Sequence, residues 1–411
     1  MRILLLSASD LQGGAGRASY RLHNSLLEAN VDSHMLVQRK KSSDNKVIGP
    51  SSRINQIIST LRPYIDGLPL KIYRRKTKTM FSILWLPFSS IPNKINKINP
   101  DIVHIHWLGP GMIALEDFSK INAPMVWSLH DMSAFTGGCH YNENCNRFQI
   151  GCGNCRVLGS NKENDLSRKV FRQKERIYKK INNLTIVGLS NWITKSSKEN
   201  NLFKNRRVIN LPNPIDIKIF KPFDKINARN LLGLPKGKKL ILFGAMSATS
   251  DLRKGFLELS EALKGLKVKD IELVVFGSDK PLNDINLKLK IHYVGNIDDD
   301  QALISLYSAA DVMIVPSLQE NLSNSIMESL ACATPVVGFN IGGNSDMIEH
   351  KRNGYLSIPF DSDSLKSGIE WVLNSPNYNQ LCKNARNKVM HEFDSKVVAK
   401  KYIELYEEIL K

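Results

Sequence analysis

Residues 316–348 read PSLQENLSNSIMESLACATPVVGFNIGGNSDMI. They follow a short apolar run, Val312-Met313-Ile314-Val315, of the kind that forms a strand buried on both faces of a parallel sheet. The stretch after the proline reads as a helix, and residues 335–338 read as the next strand. Strand, helix and strand in succession make one crossover of a doubly wound α/β domain. Two glutamates lie in this unit, Glu320 and Glu328, with seven residues between them. The spacing puts Glu320 near the helix N-terminus and Glu328 two turns along its wall. Backbone N–H groups of Asn321, Leu322, Ser323 and Asn324 at such a start can hold a leaving diphosphate. Glu328 can accept hydrogen bonds from ribose hydroxyls, as acidic residues do in other nucleotide sites. For Glu320 alone, complementing the helix dipole is the plainer reading. Strand, proline, spacing and the downstream Gly342-Gly343 turn together favour a ligand site.

Outward from this unit, residues 239–243, 272–276 and 291–294 read as further strands, with helical patterns at 254–266 and 301–310. Arg253-Lys254-Gly255 opens the first of those helices. Two cations at a helix start oppose the dipole, a cost that a bound anion relieves; a solvated basic turn is the alternative. Asp298-Asp299-Asp300 invites a metal reading, but acids at the start of a helical pattern are expected to cap it.

The first half repeats the alternation. Residues 2–6, 33–37, 102–106, 125–129, 184–188 and 207–211 read as strands, and 15–29 as a helix. Gly13-Gly14-Ala15-Gly16 turns from the first strand into that helix, where backbone can approach a diphosphate or an acceptor; a tight turn and nothing more is the alternative. His130-Asp131 closes a strand at the end that faces ligands in this architecture. His130 can touch a sugar hydroxyl or shuttle a proton, against a hydrogen-bonded loop histidine. His104 and His106 end another strand and read as structural. Two prolines, Pro212 and Pro214, mark a linker. The expected organisation is residues 1–211, then 212–390, then a terminal helical segment 391–411.

The chain has 411 residues, a formal net charge of +18 and a pI near 9.5. That length suits two domains, and that charge suits an anionic partner. No apolar run resembles a signal peptide or a membrane span, so a cytoplasmic place is expected. Residues 53–99 interleave basic and apolar side chains, fit for an anionic membrane face as a peripheral protein, or else for a solvated insertion. In a reducing compartment, Cys139, Cys145, Cys152 and Cys155, within a glycine-rich insertion at 137–158, are candidates for a structural zinc. His140 is a substitute ligand, and plain thiols or a redox pair are the alternatives.

These residues resemble the family-four retaining glycosyltransferases of the GT-B architecture, over nearly the whole chain and most strongly at 316–348. The opening turn, the His130 segment and the cysteine insertion resemble bacterial exopolysaccharide enzymes of the colanic-acid type. The resemblance implies two Rossmann-like domains facing a central cleft, with the final helix packing back on the N-terminal domain. It implies a nucleotide-sugar donor and a saccharide or polyprenyl-diphosphate-linked saccharide acceptor, most simply with a hexose transferred. Glu320 would sit by the transferred sugar with the Asn321 and Leu322 amides on the phosphates. Glu328 would hold the ribose, Lys254 and Arg253 would neutralise the β-phosphate, Gly14 would approach the diphosphate and His130 would contact the reacting sugar. No cofactor or catalytic metal is required if these groups carry the charge. One departure stands out. Many members carry an arginine where this chain reads Gly244-Ala245-Met246.

Other readings keep or change the class. A nucleotide-sugar epimerase or a sugar phosphorylase shares the fold. A basic zinc-knuckle protein would bind nucleic acid, but aromatic residues do not interleave with the cysteines as a stacking platform requires, so no nucleic-acid partner is expected.

Overall fold

The computed structural model describes residues 1–244, 249–278, 287 and 289–411. Ala245 and Met246, where the departure from the family pattern falls, lie outside the described residues.

The chain divides into two compact units, residues 1–213 with 399–411 and residues 214–398. The first holds a seven-stranded sheet. Its strands are β1 (Arg2–Ser9), β2 (Asp32–Arg39), β3 (Val47–Ile48), β4 (Ile102–Ile105), β5 (Met125–Leu129), β6 (Leu184–Gly188) and β7 (Val208–Asn210). They pair in parallel in the order β3-β2-β1-β4-β5-β6-β7. Strands β4, β5 and β6 are buried along their whole length, which explains their unbroken apolar runs.

The second unit holds six parallel strands. They are β8 (Lys239–Gly244), β9 (Ile271–Phe276), β10 (Ile291–Tyr293), β11 (Val312–Val315), β12 (Val336–Phe339) and β13 (Gly354–Ser357), in the order β10-β9-β8-β11-β12-β13. Each sheet reverses its winding once, between β1 and β4 and between β8 and β11. Such switch points leave a crevice beyond the carboxyl ends of the strands, where open α/β sheets take their ligands.

The final helix, Ser395–Leu410, ends on the first unit. Tyr402 and Tyr406 are fully buried there, and the Tyr406 hydroxyl lies 2.6 Å from His104 Nδ1. Arg207 pairs with Glu408. The chain is therefore two Rossmann-like α/β domains, with the C-terminal helix closing the core of the N-terminal one.

Candidate active site

In the second unit, the crevice between β8 and β11 gathers residues that lie far apart in sequence. After β8, Leu252–Lys254 forms one 3₁₀ turn, and the helix Phe256–Lys264 begins only after Gly255. The two cations thus precede the helix instead of opening it. Gly255 sits at φ +74°, and a Cβ there would stand 1.8 Å from the Pro316 carbonyl oxygen. Only glycine lets this turn press against the segment that follows β11. The Leu318 N–H donates to the Arg253 carbonyl (2.8 Å), which fixes the two segments together.

The glutamate segment itself starts later than its spacing suggests. The helix is Asn324–Ala331 with Ser323 as its N-cap, so Glu320, Asn321 and Leu322 lie in the loop ahead of it. Glu328 sits just over one turn in. The loop is clamped from the other side by Gly342, at φ +52°, where a Cβ would stand 1.7 Å from the Glu320 carbonyl oxygen. Glu320, Asn321, Leu322 and Glu328 are all buried.

The charges meet in this clamp. Lys254 Nζ donates to Glu320 Oε2 at 2.9 Å, and Arg253 Nη1 lies 3.9 Å from the same oxygen. Arg253 Nη2 also pairs with Asp251 at 3.0 Å. Carboxylates of the chain itself therefore relieve the repulsion that the sequence left to a bound anion. Burial alone would raise the Glu320 carboxyl, but the Lys254 and Arg253 charges outweigh it and hold it below its ordinary value. Glu328 Oε2 accepts from the Tyr307 hydroxyl at 2.9 Å.

In the first unit, Gly14 lies exposed in the first turn of the helix Gly13–Glu28. The buried Asp10 holds the loop before it by accepting from the Leu11, Lys41 and Ser42 N–H groups at 2.8–3.1 Å. His130 follows β5 directly, and its Nε2 lies 2.9 Å from His106 Nδ1. Asp131 turns inward. It takes the Trp107 indole N–H at 2.9 Å, the Ser133 N–H at 2.7 Å and His140 Nδ1 at 2.6 Å. Burial opposes its charge, but His140 and these bonds hold the carboxyl at about 2.

The cysteines Cys139, Cys145, Cys152 and Cys155 line one cavity with Phe148 and Val157. Among the described residues no group of three or more His, Cys, Asp or Glu side chains is arranged to hold a metal ion. Burial pushes the Cys152 thiol up to about 12 and raises Cys139 and Cys155, favouring thiol over thiolate. His140 is engaged at both ring nitrogens, by Asp131 and by the Ser82 hydroxyl at 2.8 Å. Asp299 caps the helix Asp300–Ala309, as its spacing implied.

Sequence reasoning passed over Tyr307 and Asp10 and read His106 as structural. Each acts through a partner in another element, and no local spacing announces such a pair.

Residues 12–218, half of the chain, match the family model described as Glycosyltransferase Family 4. The chain belongs to that family. Residues 224–389 match a second model, glycosyl transferases group 1. Among curated relatives, an uncharacterized glycosyltransferase of Methanocaldococcus jannaschii is 31% identical over 193 residues, 44% of this chain and 48% of that protein. An Escherichia coli UDP-Gal:alpha-D-GlcNAc-diphosphoundecaprenol alpha-1,3-galactosyltransferase is 27% identical over 200 residues, 45% of this chain and 50% of its own. The chain thus spans about half the length of these relatives. The crystal structure of a Rickettsia africae glycosyltransferase superposes with a TM-score of 0.67 at 20% identity, covering 100% of this chain and 99% of that one. That likeness places this family member in the GT-B fold.

Proposed function

We propose that this family member is a retaining glycosyltransferase. It would move a hexose from a nucleotide-sugar donor to a saccharide, or to a polyprenyl-diphosphate-linked saccharide, in bacterial surface-polysaccharide synthesis. The observation that carries the reading is the Lys254–Glu320 pair beneath the β8/β11 switch point. A cation and a carboxylate held there by two glycine clamps are preorganised to meet a phosphate and the sugar it carries. The E. coli relative, by its name, uses UDP-Gal and a diphosphoundecaprenol acceptor, which supports donor and acceptor of these classes.

In the proposed reaction an acceptor hydroxyl oxygen bonds to the anomeric carbon as the bond to the diphosphate breaks. The diphosphate leaves with the electron pair, and the hydroxyl proton passes to a departing phosphate oxygen. Lys254 and Arg253 neutralise the leaving charge, so turnover is expected to survive chelation of divalent metal. Glu320 lies by the transferred sugar, the Asn321 and Leu322 segment by the phosphates, and Glu328 by the ribose. His130 and Gly14 contribute contacts to the sugar, the diphosphate or the acceptor. A thermal-shift screen against UDP-, GDP- and ADP-sugars tests the donor, because a bound donor raises the melting temperature by mass action. Product NMR then reads the anomer. No shift with any nucleotide sugar, or an inverted anomer, overturns the corresponding part.

A peripheral place at the inner face of the plasma membrane is supported by the helix Arg53–Asp66. Ile54, Ile58, Leu61 and Ile65 form an exposed stripe at helical spacing, with Ile57 and Tyr64 beside it. Leu68, Ile72 and Phe88 in the same segment are exposed too, Phe88 at 95%. Arg53, Lys71, Arg74, Arg75, Lys76 and Lys78 of the same segment are exposed as well. An apolar stripe among cations suits an anionic bilayer surface. Among the described residues no helix is long and apolar enough to cross a membrane. Flotation with vesicles containing anionic lipid should carry the protein, and the double variant Ile58→Glu, Leu61→Glu should stay behind. Flotation independent of anionic lipid removes this part.

A further inference from the structure

Three histidines form a column at the carboxyl ends of β4 and β5, His104 and His106 buried and His130 half-buried. His104 and His106 rings lie 4.2 Å apart, and His106 and His130 rings 5.2 Å apart. His104 is satisfied at both nitrogens, by the Tyr406 hydroxyl at 2.6 Å and the Ser128 hydroxyl at 2.8 Å. His106 is not. It is 1% exposed, its Nδ1 faces His130 Nε2 at 2.9 Å, and its Nε2 is buried without a hydrogen-bond partner.

A purely structural residue does not explain this arrangement. An orphaned polar nitrogen in the core is unfavourable, and an apolar side chain at this place would avoid that cost. What the imidazole supplies in exchange is its Nδ1 contact with His130. We propose that His106 is the positioning residue of His130, donating Nδ1–H to His130 Nε2 and so fixing His130 with its own proton on Nδ1.

The direction of the bond follows from the orphan. If His106 accepted at Nδ1, its proton would stand on Nε2 as a buried N–H without an acceptor, which is rarer in folded proteins than an unused lone pair. With the proton on Nδ1, the orphan is a lone pair. Burial keeps the column neutral near pH 7: it pushes His104 down to about 3, His130 to about 4 and His106 well below its ordinary value. The ring is also anchored through the backbone. The His106 N–H donates to Leu6 O, and the neighbouring Trp107 carbonyl accepts from Ala8 N–H, both at 2.8 Å. The consequence for chemistry is specific. His130 would offer a hydrogen-bond donor at Nδ1 to a sugar hydroxyl, and would not act there as a base. This rests on the reading of His130 as a side chain that meets the reacting sugar.

The experiment uses the full chain with ¹⁵N-labelled histidine. Long-range ¹H–¹⁵N spectra report the tautomer of each ring, and loss of signals in His130→Gln assigns that residue. The expected result is a single Nδ1-protonated His130 in the parent and in His106→Asn, whose amide N–H stands near the place of Nδ1. His106→Leu should give a mixture of tautomers. With a nucleotide sugar that the thermal-shift screen identifies, His106→Leu should lower kcat about tenfold with little change in KM, and His106→Asn should recover most of it. His106→Gln, which places its amide near Nε2, should not. An unchanged His130 tautomer in His106→Leu, or equal recovery by Gln and Asn, overturns the proposal. Should His106→Leu fail to fold, the Asn and Gln pair still decides. Should the parent turn over no nucleotide sugar, the functional reading falls while the spectra still judge His106.

Discussion

Lys254 Nζ stands 2.9 Å from Glu320 Oε2, although 66 residues separate them in the chain. The pair exists because β8 and β11 are neighbours at the switch of the sheet, and their following loops converge. Removing either side chain should lower turnover by at least about tenfold, near 1.4 kcal/mol. The pair also predicts a pH signature. The folded Glu320 carboxyl lies below its ordinary value of 4.5, so the stability it contributes is present above that pH and is lost as pH falls through the folded value. Lys254→Met should therefore lower the melting temperature at pH 7 and differ little from the parent in strong acid. Equal losses at both pH values would count against the pairing.

Gly255→Ala tests the clamp. Its backbone stands at φ +74°, and the new methyl group would meet the Pro316 carbonyl oxygen at 1.8 Å. Strain and displacement together should cost at least about 2 kcal/mol. The 3₁₀ turn carrying Lys254 would move with it, so turnover should fall further than stability. Denaturant midpoints and kcat measured on the same preparation separate the two effects.

Tyr307→Phe removes one hydroxyl from Glu328 Oε2 and leaves the packing of the ring against Phe276. A lost hydrogen bond to a buried carboxylate is worth about 1.5 kcal/mol. With Glu328 placed on the ribose, the expected change is a roughly tenfold weaker nucleotide affinity with kcat little altered. Calorimetric titration with the nucleoside diphosphate reads it directly. A change in kcat alone would move Glu328 out of the ribose role.

Much of this architecture was legible in the chain itself. Strands such as β5 and β9 are buried on both faces and therefore appear as unbroken apolar runs. Strand β13, Gly354–Ser357, was not legible, because its two middle residues are only half-buried and carry no apolar run. Nor was β3, which is two residues long. In the site, Glu320 and Glu328 were marked by spacing within one segment. Tyr307 and Asp10 were invisible, and the contact of His106 with His130 was too, for the opposite reason. Each acts on a residue of another element, and only the tertiary fold supplies the partner. The start of the Glu328 helix was misplaced because the loop from Pro316 to Ser323 is shaped by Gly255 and Gly342, which lie in other elements.

The histidine column predicts how the first unit responds to acid. His104 and His106 are 0% and 1% exposed. Burial holds His104 at about 3, against an ordinary 6.5, and His106 well below that value too. An unfolded chain takes up protons on these rings as pH falls below 6.5, and the folded chain does not. The unfolded state then binds more protons, so stability falls with pH. For His104 the loss begins near 6.5 and ends near 3. Between pH 7 and pH 5 the His104 ring should cost about 2 kcal/mol, and His106 adds a loss of the same sign. His104→Gln keeps an amide near Ser128 and Tyr406 but cannot titrate, so its stability should fall less over the same interval by about one ring's share. Denaturant unfolding at pH 7, 6 and 5 measures both chains. A parent whose stability is flat over that range would mean that water reaches these rings and protonates them in the folded state, and that His104 and His106 are not sealed from solvent.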